Sequence, residues 1–206
     1  MPEPIREGDV VLVDGLGQGL ISASIALGTM RRYGRGSPYA RWTHVAIVYD
    51  APAQDPDRIT IVEATMASGV HRAFISKYEN RCAVVHTGVE EHDWAKVNKF
   101  LKQVLDQRES YDRVAYAGLT LYAVTGTKIC IQRAGTATCS GLVADALTRR
   151  GFVWHRPPYF MTPADIAADL LGQYERKMTS WLAEGPTTLR GRIGELVQTT
   201  HDRLTR

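Results

Sequence analysis

The sequence predicts a single α+β domain, because strand-like and helix-like patterns occupy separate parts of the chain. In the first part, short runs of β-branched residues are joined by links too short for helical crossovers, which favours antiparallel pairing. From residue 93 onward, apolar residues recur at helical spacing. The chain has 206 residues, of which 44% are hydrophobic and 23% charged, enough for one complete core.

The first part of the chain is expected to contain five strands and one helix. The predicted strands are Asp9–Val13, Thr43–Tyr49, Ile59–Ala64, Gly69–Phe74 and Cys82–Thr87. Between the first two strands, the apolar and small residues of Leu20–Met30 predict a short buried helix. Tyr33–Ala40 then carries glycines, a proline and a serine, a composition typical of a loop.

Three further helices are predicted at Asp93–Arg108, Asp112–Val124 and Cys139–Arg150, the last with Gly151 as its C-cap. We place the catalytic domain at residues 1–170 and a C-terminal helical extension at residues 171–206. The extension carries an amphipathic stretch beyond Gly185-Pro186. That stretch either packs back on its own domain or docks on a protein partner or a second copy of the chain.

Charge and hydropathy exclude several classes of partner. The net charge of +3 is too small to indicate a nucleic-acid interface. A basic cluster at Arg31, Arg32 and Arg35 indicates a solvated loop, with a polyanion or cell-envelope contact as the alternative. No run reaches the ~18 apolar residues of a transmembrane segment. The N-terminal residues show no signal-peptide pattern, so we expect cytoplasmic synthesis, with delivery to the envelope by a phage or secretion system left open.

Cys139 is the strongest candidate nucleophile among the three cysteines. It follows Thr138 and precedes Ser140 at a predicted helix start, where capping residues are favoured. Unpaired N–H groups and the positive end of the helix dipole favour the thiolate there. The alternative is a small buried hydrophobic residue. Cys82 and Cys130 lie in apolar runs and are assigned to the core.

His44 is the candidate base. It is a titratable residue at the head of an otherwise apolar strand, and Glu63 closes the next strand. If these strands pair as a hairpin, the Glu63 carboxylate can lie beside the imidazole and favour its charged form. His86 is the rival, but His44 is preferred because only it has a carboxylate at the end of the next strand. The remaining histidines are assigned no role: His71, His92, His155 and His201.

No cofactor or metal is expected. The sequence has no CxxC pair, no HExxH motif and no zinc-deaminase signature. It also lacks the GxSxG motif of serine hydrolases. The chemistry is therefore expected to come from amino-acid side chains alone.

Seven short motifs follow one another along residues 7–170. They are Gly8-Asp9-Val10-Val11-Leu12, Thr43-His44-Val45-Ala46-Ile47-Val48, Val62-Glu63-Ala64, Gly69-Val70, Tyr111-Asp112, Cys139-Ser140 and Thr162-Pro163-Ala164-Asp165-Ile166. In this order they resemble the circularly permuted members of the NlpC/P60 superfamily, the YiiX/YebB-like papain-fold amidases. Gly141 departs from the family, which has a larger residue there.

The resemblance implies a permuted papain-like fold in which a small antiparallel sheet packs on the cysteine helix. It also implies Cys139 as nucleophile, His44 as base and Glu63 as the third polar residue. Three further residues are expected to contact substrate: Tyr111, Thr138 and Ser140.

The expected activity is hydrolysis of an amide by a cysteine peptidase, with a bacterial cell-wall peptide such as peptidoglycan as the leading substrate. Two alternatives stay open. One is a lipid acyltransferase or thioesterase on the same fold. The other is a binding or structural module in which Cys139 is inert.

Overall fold

The computed structural model describes residues 3–15, 20–34, 36–52, 55, 57–115, 117–118 and 135–172. The strands in these ranges are β1 (Val10–Asp14), β2 (Trp42–Asp50), β3 (Thr60–Thr65), β4 (Gly69–Phe74), β5 (Cys82–Val85), β6 (Ser110–Tyr111) and β7 (Thr136–Ala137). The helices are α1 (Leu20–Tyr33), α2 (Glu91–Asp106), α3 (Cys139–Thr148) and α4 (163–172). Short 3₁₀ helices lie at Ile75–Tyr78 and Pro158–Phe160.

The first five strands form one antiparallel sheet in the order β4-β3-β2-β1-β5. This confirms the mixed α and β composition and the antiparallel pairing predicted from the short links. In the tight β3–β4 hairpin, Glu63 lies directly opposite His71. Directly opposite residues of paired strands point to the same face, so these two side chains are neighbours.

Helices cover one face of the sheet. In α2 the buried side chains are Val97, Leu101 and Val104, spaced four and three residues apart so that they share one stripe. They join a core with strand residues such as Val45 and Val62 and with the apolar face of α3, including Cys139 itself. The core therefore fixes α3, and with it the residue at the start of that helix.

The opposite face of the sheet is covered by the 3₁₀ helix Ile75–Tyr78. Ile75 and Tyr78 are buried against alternate residues of the central strands, which include Val13 and Ile61. The Ile75 N–H donates to the carbonyl of Ile59 at 3.0 Å and ties the 3₁₀ helix to the sheet. Lys77 and Tyr78 are thereby brought close to the face on which Glu63 lies.

A two-stranded parallel ladder, β6–β7, was not predicted. It leads directly into α3, because Thr138 follows β7 and caps the helix. The ladder is joined to the main sheet by the Val70 N–H, which donates to the carbonyl of Glu109 at 2.8 Å. At the neighbouring Gly69, φ is +65° and an added Cβ would lie 2.5 Å from that carbonyl oxygen, so this contact requires glycine.

Several predicted bounds need correction. Tyr33 ends α1 instead of starting the predicted loop, and its hydroxyl donates to Asp165. β5 ends at Val85, so His86 lies just beyond the strand rather than in it. The C-cap of α3 is Arg149, and Gly151, with φ +92°, lies two residues later. Most of the predicted Asp112–Val124 helix, Cys130 and the extension from residue 173 lie outside the described residues.

Within the ranges that the structure describes, no helix has the length and apolar character needed to cross a membrane.

Candidate active site

Cys139 is the first residue of α3 and is only 4% exposed. The preceding Thr138 is the N-cap, and its hydroxyl accepts from the Gly141 N–H at 3.1 Å. An added Cβ at Gly141 would lie 2.9 Å from that hydroxyl oxygen, so a larger residue at this position would crowd the cap. The predicted capped cysteine helix is therefore present, and it begins at the residue predicted.

The imidazole of His44 interacts with both Cys139 and Glu63. Its Nε2 lies 2.7 Å from Oε2 of Glu63. The same imidazole also forms a side-chain hydrogen bond with Cys139. The structure thus brings together the three residues that the sequence selected as nucleophile, base and third polar residue.

The environment of His44 favours its charged form. Burial acts to lower the pKa, but the hydrogen bond and charge of Cys139, followed by those of Glu63, outweigh burial. The result is a pKa raised from 6.5 to about 9. An imidazolium next to a thiol nucleophile can later donate its proton to a leaving group.

Glu63 is fully buried and receives four side-chain contacts. Oε2 accepts from Nε2 of His44 and from the Tyr78 hydroxyl at 2.6 Å. Oε1 accepts from Nζ of Lys77 at 2.7 Å and lies 3.2 Å from Nε2 of His71. Burial acts to raise the pKa of Glu63, but the contacts with His44, Lys77 and Tyr78 lower it from 4.5 to about 2. Glu63 is therefore a carboxylate at any ordinary pH.

Three members of this cluster were missed by the sequence reasoning, which assigned His71 no role and did not consider Lys77 or Tyr78. A signal for His71 was present, because a tight hairpin between Ile59–Ala64 and Gly69–Phe74 places Glu63 opposite it. Lys77 and Tyr78 reach Glu63 only through the 3₁₀ helix that folds back over the sheet. Strand periodicity does not reveal such a contact.

His86 also has a carboxylate partner, which corrects the argument used to reject it. Its Nδ1 lies 2.8 Å from Oδ2 of Asp9, a residue that is 3% exposed. Asp9 additionally accepts from the N–H groups of Arg6 and Thr87, at 2.9 and 3.2 Å. The Asp9–His86 pair ties two backbone segments together. What distinguishes His44 is its interaction with Cys139, rather than the possession of a carboxylate.

The residues expected to contact substrate occupy different settings. Ser140 is buried, and its hydroxyl donates to the carbonyl of Met161. Tyr111 lies in β6 and packs against the main core. The next residue, Asp112, accepts from the Val114 and Ala115 N–H groups and caps the following helical turn.

Thr138 borders a cavity of about 360 Å³ beside α3. Glu109 and Asp145 also border this cavity. Burial, reinforced by the charge of Asp145, raises the pKa of Glu109. Burial also raises the pKa of Asp145, against the opposing charge of Arg149. Of the three predicted substrate contacts, Thr138 is the one that lines this polar cavity.

The predicted Thr162-Pro163 segment starts α4. Thr162 and Asp165 form a reciprocal cap, because Oδ2 of Asp165 accepts from the Thr162 N–H at 2.9 Å and the Asp165 N–H donates to the Thr162 hydroxyl at 3.2 Å. His155 pairs with Asp169 through a 2.6 Å contact. These contacts give the segment a structural explanation.

No group of three or more histidine, cysteine, aspartate or glutamate side chains suited to a metal ion occurs in the described part of the chain. No protein-family model matches the sequence, and no curated protein matches it. The resemblance to the permuted NlpC/P60 enzymes therefore stays a prediction.

Proposed function

We propose that this chain is a cysteine hydrolase that cleaves an amide bond through a thioester on Cys139. The observation that carries the proposal is the position of His44, whose imidazole interacts with both the Cys139 thiol and the buried Glu63 carboxylate. A nucleophile, a base within reach of it and a third group that orients the base are the parts that covalent acyl transfer needs.

A permuted papain-like fold for residues 1–170 belongs to the same proposal. It is supported by an antiparallel sheet packed on a helix whose first residue is the cysteine. The strands with His44 and Glu63 precede that helix in the chain, which is the order expected of the permuted NlpC/P60 relatives.

The reaction follows from the placement of these groups. The proton of the Cys139 thiol passes to His44 before substrate binds, as the raised pKa of His44 favours, and the sulfur then bonds to the carbonyl carbon of the substrate. Backbone N–H groups at the start of α3 stabilise the negative oxygen of the tetrahedral intermediate. As the C–N bond breaks, the imidazolium of His44 gives its proton to the leaving amine. Water then loses a proton to His44, attacks the thioester and releases the carboxylic acid, which restores the thiol.

The proposed substrate is a peptide-type amide of the bacterial cell wall. The cavity of about 360 Å³ is bordered by Thr138, the chain neighbour of the proposed nucleophile, whereas Cys139 itself is not part of the lining. The lining combines acidic residues such as Glu109 with apolar residues such as Phe100, a mixture that suits a peptide. The volume of the cavity lies in the range of small-molecule and peptide subsites.

Intact-protein mass spectrometry after incubation with muropeptides, and separately with phospholipid vesicles, tests this proposal. Each reaction is quenched in acid, and the wild-type protein is compared with Cys139→Ser. We expect a muropeptide acyl adduct on Cys139 and release of the matching amine. A fatty-acyl adduct from the vesicles alone would replace the amidase with a lipid acyltransferase or thioesterase. No adduct from either, with no product, would contradict a catalytic role for Cys139.

A further inference from the structure

Glu63 has more partners than are needed to orient His44. An ionised carboxylate offers about four acceptor positions. In Glu63 these face His44 and Tyr78 on Oε2, and Lys77 and His71 on Oε1. The side chain of Glu63 is 0% exposed. The carboxylate is therefore held at both oxygens, and it cannot rotate without breaking several contacts.

The charges in this cluster are not equivalent. A buried carboxylate without a second cation would place its whole negative charge against His44 and hold the imidazolium more tightly. Lys77 lies on the other oxygen, at 2.7 Å, with its side chain 47% exposed. Its positive charge offsets part of the Glu63 charge and repels a positive charge on His44.

Tyr78 acts on the oxygen that His44 uses. Its hydroxyl donates to Oε2 at 2.6 Å, and its ring centroid lies 5.7 Å from that of His44. Burial and Glu63 raise the pKa of Tyr78 above its ordinary value, so the hydroxyl stays a neutral donor. Tyr78 and the His44 ring therefore bond to the same oxygen, Oε2, and the Tyr78 bond limits the movement of that oxygen.

We propose that Lys77 and Tyr78 are positioning residues that act on His44 through Glu63, and so set how firmly the imidazolium of the catalytic pair is held. This inference rests on the proposed function, because it assigns His44 the catalytic base. The charge of Lys77 weakens the attraction between Glu63 and the protonated His44 ring. Tyr78 fixes the position of Oε2, the oxygen to which Nε2 of His44 bonds. His71 completes the contacts of Oε1.

The chain offers a matched control for Lys77. Lys96 contacts Asp93 at 2.8 Å, and its side chain is 59% exposed. The two ion pairs have nearly the same length, but only that of Lys77 reaches a buried carboxylate next to His44. A substitution at Lys96 removes the same charge without touching the cluster.

The test is a pH titration of the His44 ring. NMR of ¹⁵N-histidine-labelled protein records the titration, and His44→Gln identifies the His44 signal. Lys77→Met should move the midpoint upward by about half a pH unit or more, because a neutralising charge is lost. Tyr78→Phe should move it in the same direction, because Oε2 then accepts from Nε2 alone. Lys77→Arg and Lys96→Met should leave it within about 0.2 pH unit of wild type, because the charge near Glu63 is kept.

An unchanged midpoint in folded Lys77→Met, or an equal shift in Lys96→Met, would overturn the role of Lys77. If Lys77→Met does not fold, the other two variants at the cluster provide the test. An unchanged midpoint in Tyr78→Phe, or a large shift in Lys77→Arg, contradicts the inference. The titration needs no substrate, so it measures the effect of Lys77 and Tyr78 on His44 even if the protein hydrolyses nothing. Where hydrolysis is found, the alkaline limb of kcat/KM should move with the midpoint, which a merely structural ion pair would not cause.

Discussion

His44 and Glu63 meet across neighbouring strands, with Nε2 of His44 2.7 Å from Oε2 of Glu63. The carboxylate is fully buried, whereas the His44 side chain is 19% exposed. Nε2 of His44 is thus held in place by a carboxylate that stays ionised. The same imidazole also bonds to Cys139, which is the arrangement that the proposed general base requires.

Glu63→Gln should lower kcat by about 10-fold, the equivalent of one orienting hydrogen bond. The amide oxygen can still accept from His44, but its –NH₂ group would then face Lys77, donor against donor. We therefore also expect the free energy of unfolding to fall by about 1–3 kcal/mol. Steady-state kinetics and urea denaturation measure the two effects. A kcat loss as large as that of His44→Ala would mean that the carboxylate's charge, rather than its orienting role, dominates.

His44→Ala should reduce kcat at least ~100-fold, since it removes the group that moves every proton in the mechanism. His86→Ala is a matched control, because His86 contacts Asp9 at 2.8 Å, much as His44 contacts Glu63. It should change kcat by less than about 3-fold while lowering stability by about 1 kcal/mol. The two variants are compared on one small amide substrate. If His86→Ala is the inactive one, the assignment of the catalytic base is wrong.

The pKa of His44, raised from 6.5 to about 9, predicts the direction of two pH dependences. A pKa raised by folding contributes stability that is complete below pH 6.5 and is lost as the pH rises through about 9. The free energy of unfolding should therefore fall across this window, and fall less in His44→Gln. If the protein hydrolyses an amide as proposed, kcat/KM should decline through the same window, because the leaving group then lacks its proton donor. Rising activity beyond pH 9.5 would contradict the assignment.

The parts of the site that follow from strand pairing could be predicted from the sequence. Glu63 beside His44, and the cysteine at a capped helix start, depend on hairpin register and helix capping, which are local properties. The contacts of Lys77 and Tyr78 depend on how a 3₁₀ helix folds back over the sheet. Tyr33 extends α1 beyond the predicted end because it contacts Tyr39 and Asp165, which are tertiary partners. No local pattern encodes such contacts.

Gly69→Ala should be strongly destabilising, whereas Gly88→Ala should not. Both glycines have φ of +65°, so each alanine has about the same backbone strain of ~1–2 kcal/mol. Only at Gly69 would the added Cβ meet an atom, 2.5 Å away at the carbonyl of Glu109. We expect a further ~1–3 kcal/mol loss there, measured by urea denaturation. Equal losses of unfolding free energy in the two variants would mean that the backbone between β4 and β6 shifts at little cost to accommodate the added Cβ.

Whether Cys139 is a nucleophile activated by His44 can be measured as its rate of alkylation with iodoacetamide at pH 7. Peptide mapping by mass spectrometry gives separate rates for Cys139 and Cys82. Exposure alone favours Cys82, which is half-buried, whereas Cys139 is only 4% exposed. Burial also raises the pKa of Cys82, with Arg81 opposing it.

We expect Cys139 in the native protein to be alkylated at least about 10-fold faster than Cys82, because an imidazolium partner favours the reactive thiolate. We also expect His44→Ala to remove this difference and His86→Ala to keep it. Cys139 is not the activated nucleophile if its alkylation is no faster than that of Cys82, or if His44→Ala leaves its rate unchanged.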